Sequence, residues 1–560
     1  MKLFLKKNFK LLAILLVAFF LRFVGISWGL PYHFHPDEWN MANAVSQLSW
    51  ADKLQPHFFA YGQLPLYLSF FSGRLYNLIP WINLDQVSPT EATFFLRFWS
   101  ALAGVGTVSL VYLITKRLLT TNYCLLATLL AAFTPGLIQI AHFGTTESLL
   151  SFFFLATVYF SIKIVEENRS RNYFFAGLLL GLALGTKISA LVFAFPIIFA
   201  LLLKLRQAMI KKSSWCRGGG LFFLFLCATA IFFFVSSPYV ILNFSETKRI
   251  LLYEAQVASG QIPVFYTRQF LKTTPVLFQL EKIFPYALGW PIFILGMAGF
   301  LLILFLIAKK LLKTKHFSFT LTTYYLLLTT FLVYFFSQAF LFCKWTRFMA
   351  PIFAFFPIFA TFFLSYLSNL RIKAFLVGIA LLPGIVFSSI YFRPDIRFQA
   401  SDWIYKNIPA SSRILSETGN VIDIPILPLS NPDHSLSSVS FDFYRLDENP
   451  RLLSQLLDSL SNSDYVFVPS RRLFANHLRL PQDYPLTAKY YKLLFSGQLG
   501  FTEIKKFQPF PNLSLITYHL SLSDESAEET WSVFDHPVVR VFQKKVSLTR
   551  QQYEELFKED

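Results

Sequence analysis

Charge is what this sequence has least of: Asp, Glu, Lys and Arg make up only 15% of its 560 residues. Ordinary soluble domains carry about 25%, so a wholly soluble fold is excluded and an integral membrane protein is indicated. Cysteine is scarce too. Cys124, Cys216, Cys227 and Cys343 are scattered, share no metal-ligand spacing and leave the last third empty, which implies no disulfide framework. No convincing internal repeat is visible, which counts against the paired halves of many secondary transporters. What is present in quantity is apolar: 54% hydrophobic and 18% aromatic, with 67 Phe. The formal net charge of +18 raises the question of nucleic acid. The basic residues, however, lie largely in short connections between apolar runs, as the positive-inside rule requires, and no nucleic-acid partner is expected.

Lys2, Lys6, Lys7 and Lys10 precede a first apolar run over residues 11–30. That run is too long for a signal-peptide core and lacks a small-residue cleavage site, so it predicts an uncleaved helix with a cytoplasmic N-terminus. Counting from there, basic connections at Lys116-Arg117, Lys163 to Arg171, Lys204 to Lys212, Lys309 to Lys315 and Arg371-Lys373 fall on one side. The count predicts about eleven transmembrane helices in a multi-pass plasma-membrane protein. Residues 1–393 would form this helical domain, with outer loops at 31–94 and 243–284. Composition changes after Arg393, and residues 394–560 are expected to form an extracytoplasmic α/β domain. There 399–407 reads as helix and 464–469, 501–507 and 538–542 as strands. Asp423, Asp433, His434 and Asp442 in that domain fit no nucleophile or metal pattern, and surface solvation explains them better.

The most unusual stretch is Leu30-Pro31-Tyr32-His33-Phe34-His35-Pro36-Asp37-Glu38-Trp39-Asn40, just after the first apolar run. Two prolines place the acids on a turn or in the first turn of a new helix. Asp37 as cap, Glu38 at the helix dipole and Trp39 as interface anchor would account for them without chemistry. Other polar residues nevertheless fall on the same outer side: His35, Arg97, His142, Glu147, Lys187, Lys344 and Arg347. Glu147 reads also as a first-turn acid, and Lys187 as a snorkelling side chain. Basic residues in short outer loops run against the orientation statistics, however. Acids and bases gathered at one membrane face suit an anionic substrate and a proton acceptor. A phosphate ester at the lipid interface satisfies both.

With these residues in view, the sequence resembles the C-type glycosyltransferases that use lipid-linked sugars. The branch is the family-39-like one of protein O-mannosyltransferases and aminoarabinose transferases. The resemblance is carried by His35-Pro36-Asp37-Glu38, Arg97, Glu147, Gly181-Leu-Ala-Leu-Gly-Thr-Lys187 and Lys344-Trp-Thr-Arg347-Phe348-Met-Ala-Pro351. The segment from Phe265-Tyr266-Thr-Arg268-Gln269-Phe270 to Pro275 resembles the donor-side outer loop of such proteins. It departs from the family in Phe348, where Tyr is frequent, and in Glu147, where Asp is common. The sequon-recognition motif of an oligosaccharyltransferase is not found in 394–560.

The resemblance implies transfer of a hexose or pentose from a polyprenyl phosphate to an acceptor hydroxyl on a protein, glycan or lipid, with inversion. It implies Asp37 as general base, with Glu38 and Glu147 positioning the acceptor. Asp37 and Glu147 are also the candidates for holding a divalent cation, Mg or Mn, if one is used. Lys187, Lys344, Arg347 and Arg268 would bind the donor phosphate, and His35, Arg97, His142, Tyr266 and Gln269 would line the substrate site. A secondary transporter would instead place ionisable groups near mid-bilayer. A receptor or scaffold with an outer domain would need neither the acidic pair nor the facing bases.

Overall fold

The computed structural model describes residues 2–78, 86–210, 216–313, 319–419, 421–426, 436–510 and 523–558. Asp433 and His434 lie outside the described residues. The chain divides into two compact units, one of residues 1–27, 37–262 and 272–389, the other of residues 28–36, 263–271 and 390–560. Two short segments, 28–36 and 263–271, therefore group with the C-terminal region, which the division at Arg393 did not anticipate.

The first unit is helical. Among the described residues, six helices are long and apolar enough to cross a membrane: Pro89–Thr115, Glu147–Glu166, Ile188–Arg206, Gly219–Ser236, Trp290–Lys310 and Leu370–Phe392. The number rises to eight if each of two bent pairs is one span, against the eleven expected. Prolines cause the difference in part. Thr121–Ala132 and Pro135–His142 meet at 54°, and Thr346–Phe353 and Phe355–Tyr366 at 46°. Pro135 starts a fresh helix at its first position, while Pro357 has no N–H to offer the carbonyl one turn back. Helices also stand at the other expected positions, Lys2–Phe23, Ser170–Thr186 and Phe319–Ala339, the second only 17 residues long.

Two local devices position the polar residues. Ser88 and Glu91 form a capping box: the Ser88 hydroxyl accepts from the Glu91 N–H at 3.2 Å and the Glu91 carboxylate from the Ser88 N–H at 2.8 Å. The helix they launch therefore starts at Pro89, and Arg97 sits two turns inside it rather than at its mouth. In Ser170–Thr186, Gly177, Gly181 and Gly185 recur every fourth residue against the helix Cys216–Ser236. A Cβ on Gly181 would lie 2.6 Å from the Thr229 carbonyl oxygen, and one on Gly177 2.4 Å from that of Phe225. Small residues at this spacing let the backbones touch. The glycines of the Gly181–Lys187 motif are thus packing residues, and Lys187 is delivered as the residue that caps the helix.

The second unit contains a five-stranded sheet in the order β2-β1-β3-β5-β4. The strands are β1 (Arg413–Glu417), β2 (Ser437–Phe441), β3 (Tyr465–Val468), β4 (Phe501–Phe507) and β5 (Val539–Lys544). β1 runs parallel to β2 and β3, and β5 antiparallel to β3 and β4. Alternation along β3 sends Val466 and Val468 to one face, with Leu456, Leu460, Tyr490, Leu494 and Tyr553. Tyr465 and Phe467 go to the other, with Ile396, Ala400 and Ile404 of the helix Ile396–Asn407. Both faces of the sheet are covered, as an α/β arrangement requires.

One buried titratable cluster in this unit centres on a histidine. His536 lies fully buried between two carboxylates, with Nε2 2.6 Å from Asp524 and Nδ1 hydrogen-bonded to Asp535. The Tyr391 hydroxyl donates to Asp535 at 2.7 Å and the Trp531 indole to Asp524 at 3.0 Å. Burial lowers the imidazole, but the flanking Asp535 and Asp524 outweigh it and hold it up at about 10. A group raised in the folded state stabilises below its unfolded value and loses that contribution as pH rises through the folded one. Thermal stability should therefore decline between pH 6.5 and about 10 in the parent. Melting curves of His536→Gln over the same window should start lower and lack that component of the decline.

Candidate active site

Three carboxylates of the first unit each meet a cation from a distant part of the chain. Glu38, in the first turn of the helix Pro36–Ser46, takes Arg97 in a two-pronged bond, with Nε to Oε1 at 2.7 Å and Nη2 to Oε2 at 2.6 Å. The Gly144 N–H adds a third contact to Oε1 at 2.6 Å, and Arg97 Nη1 donates to the Ile26 carbonyl at 3.0 Å. Side-chain exposures of 0% and 1% leave no room for a ligand at this pair. Glu38 is thus a fastener. It fixes the first turn of its helix to the helix Pro89–Thr115 and to the Phe143–Thr146 connection, and so places Asp37, its neighbour.

Asp37 is different. Its carboxylate accepts a hydrogen bond from Nη1 of Arg347, and the two side chains keep 25% and 23% of their surface exposed. Arg347 also stacks over the Trp345 ring at 4.7 Å. The third pair is looser: Lys187 Nζ lies 3.8 Å from Glu147, whose carboxylate also accepts from the Thr146 hydroxyl at 3.1 Å. Lys187 sits over the rings of Tyr61 at 5.0 Å and Phe348 at 5.6 Å. Phe348 follows Arg347 in sequence, so the Asp37–Arg347 and Glu147–Lys187 pairs meet across one aromatic residue. The face of Phe348 carries that contact without a tyrosine hydroxyl.

Other expected site residues lie outside these two pairs. His142 is fully buried at the end of its helix, with Nδ1 2.9 Å from the Ile138 carbonyl and Nε2 2.8 Å from that of Val24. Lys344 donates to the Phe342 carbonyl at 2.9 Å, and burial lowers its pKa. His35, Tyr266, Arg268 and Gln269 belong to the second unit and make the following contacts within it. His35 packs on Phe534 at 4.3 Å, and Tyr266 on Phe265 at 5.2 Å. Arg268 reaches Glu448 at 2.7 Å and the Tyr444 carbonyl at 2.8 Å, with Tyr484 under its guanidinium at 4.4 Å. It also meets His477 Nε2 at 3.2 Å. Burial pushes His477 down to about 4, so the ring is neutral, donates from Nδ1 to Leu473 and accepts from Arg268. Gln269 accepts from the Glu529 N–H at 3.1 Å. Arg268, with its guanidinium engaged by Glu448, anchors 263–271 within the second unit.

Sequence reasoning missed three contributors. Tyr61 and Trp345 cover the cations, yet in a chain with 18% aromatics neither stands out. Glu254, on the surface helix Phe244–Ala258, lies within electrostatic reach of Lys187, and desolvation raises its pKa. Among the described residues no group of three or more His, Cys, Asp and Glu could hold a metal ion.

Long apolar helices joined to an α/β unit define a multi-pass helical membrane protein. Within it, residues 90–233 match the family model described as dolichyl-phosphate-mannose-protein mannosyltransferase. The matched stretch contains Arg97, His142, Glu147 and Lys187, and over it the chain is mannosyltransferase-like in sequence. No curated protein matches the sequence. Among solved structures it is similar to the archaeal oligosaccharyltransferase AglB from Archaeoglobus fulgidus in complex with an inhibitory peptide and a dolichol-phosphate. That match has 12% identity and a TM-score of 0.49, covering 96% of this chain and 89% of that one. It is similar also to ArnT from Cupriavidus metallidurans bound to undecaprenyl phosphate, at 12% identity and TM-score 0.42 over 82% and 92% of the two chains. The S. cerevisiae protein O-mannosyltransferase Pmt1-Pmt2 complex bound to the sugar donor matches at 19% identity and TM-score 0.33, over 44% and 34%.

Proposed function

We propose that this protein transfers a sugar from a polyprenyl-phosphate donor to an acceptor hydroxyl on the extracytoplasmic face, with inversion. The observation that carries the reading is the Asp37–Arg347 contact beside Lys187. A carboxylate that keeps a quarter of its surface exposed lies against a guanidinium, and a second cation stands one aromatic residue away. Asp37 takes the proton of the acceptor hydroxyl as its oxygen attacks the anomeric carbon. The bond from that carbon to the phosphate oxygen breaks, and a donor diester with one negative charge leaves as a polyprenyl phosphate monoester with two. Arg347 and Lys187 face the charge that grows on the departing oxygen and so favour the transition state over the bound donor. Glu38 and Arg97 hold Asp37 in place, and Glu147 orients Lys187.

A divalent cation is assigned no step. Asp37 and Glu147, its candidate ligands, each face a cation of the chain itself. A secondary transporter is disfavoured by placement: Asp37 and Glu147 lie in first helical turns, Arg347 is the second residue of its helix, and Lys187 is a C-cap.

Arg347→Ala should weaken binding of the polyprenyl-phosphate sugar and also slow single-turnover transfer. Arg347→Lys should restore only part of both, since lysine keeps the charge but loses the fork. Donor affinity and transfer rate measured in nanodiscs decide it. An Arg347→Ala protein that binds donor as tightly as the parent would remove the phosphate role.

A further inference from the structure

The proposed base and the proposed phosphate clamp are bonded to each other, and from this we infer that the donor's phosphate unlocks the base. The inference rests on the reading of Asp37 and Arg347 given above. An ion pair stabilises the ionised carboxylate and blunts it as a proton acceptor. While Arg347 holds Asp37, an acceptor hydroxyl that arrives first meets an occupied base. A phosphate diester offers the guanidinium the same planar, two-oxygen partner that a carboxylate does. It can therefore take Asp37's place on Arg347.

Several features make the contact exchangeable where its neighbour is not. Both side chains keep about a quarter of their surface exposed, at 25% and 23%, against 1% and 0% for Glu38–Arg97. Glu38 has three polar donors, from Arg97 twice and from Gly144, whereas the contact found for Asp37 is to Arg347. Trp345 lies against the guanidinium and can steady it whichever anion it holds. The adjacent Glu38 keeps the Asp37 backbone fixed during the exchange. The consequence is order: donor first, then proton abstraction from the acceptor. The base is kept from working until a phosphate is seated beside it.

The test is binding of a polyprenyl phosphate, with the uncharged polyprenol as control, to full-length protein in nanodiscs. Asp37→Asn removes the charge with which residue 37 competes for Arg347, so affinity for the phosphate should rise about two- to fivefold, the range set by a partly exposed ion pair. Loss of a negative charge near an anion would also tighten binding without any lock. The same substitution is therefore repeated in the Arg347→Ala protein, where the lock predicts no gain. A gain that persists without Arg347 would overturn the inference in favour of plain repulsion. Equal affinity of parent and Asp37→Asn, with Arg347→Ala weakened, would overturn it while leaving the phosphate site standing. If no variant prefers the phosphate to the polyprenol, the transfer reading fails and the inference falls with it. Melting temperatures of all variants establish that each is folded.

Discussion

Asp37→Asn is expected to lose sugar transfer by about 10²–10⁴-fold, the usual range for removal of a general base, while keeping its fold. Asparagine has the size of aspartate and can still accept a hydrogen bond from Arg347, but it cannot take a proton at neutral pH. The side chain is a quarter exposed, so the substitution buries no new unpaired polar group. Single-turnover transfer with saturating donor is the measurement, with the melting temperature alongside. Near-normal transfer by a folded Asp37→Asn protein would move the base elsewhere, to Glu147 first. Glu38 could not replace it, because its oxygens are taken up by Arg97 and Gly144 inside the protein.

The second large effect is on stability. Glu38→Ala would leave the Arg97 guanidinium buried without its carboxylate, although its Nη1 still reaches the Ile26 carbonyl at 3.0 Å. Arg97→Ala would leave a buried carboxylate. Removing one member of a buried, hydrogen-bonded pair costs about 3–5 kcal/mol, because the desolvated charge left behind is uncompensated. Either variant should melt well below the parent or fail to accumulate. The double replacement Glu38→Leu with Arg97→Met should recover much of the loss, since it strands neither charge. Both transfer and donor binding should fall with the fold in the single variants. A parent-like melting temperature for Glu38→Ala would show that the pair is not the fastener described above.

Much of the fold was legible because its signals are local. Apolar runs between basic connections marked the helices, and a short, wholly apolar run marked β3, while β4 and β5 also fall where the sequence predicts strands. β1 and β2 were not legible. β2 is Ser-Ser-Val-Ser-Phe with only Phe441 buried, so it lacks the apolar alternation of a half-buried strand. The start of the helix Pro89–Thr115 could have been found from Ser88-Pro89-Thr90-Glu91, whose spacing is that of a capping box. The acids and bases of the site stood out because charge is rare in this chain. Their pairing did not. Nothing in sequence order says that Asp37 meets Arg347 while its neighbour Glu38 meets Arg97, because a one-residue step along the first helical turn points the two side chains in different directions. Nor does it separate Arg268, held by Glu448 and His477, from the basic residues of the first unit. A residue type and a side of the membrane are readable; which carboxylate has a partner that can be exchanged is a property of the packed structure.

The central claim, that this chain breaks the bond between a sugar and a polyprenyl phosphate, is tested most directly by release of polyprenyl phosphate from a radiolabelled panel of polyprenyl-phosphate sugars. Purified protein in nanodiscs, with an acceptor mixture of envelope proteins, glycans and lipids, should release the monoester and form labelled product in equal amounts from at least one donor. The Asp37→Asn protein under the same conditions should form neither. Absence of release by the parent across hexose and pentose donors, in protein shown to be folded and to bind polyprenyl phosphate, would contradict the account.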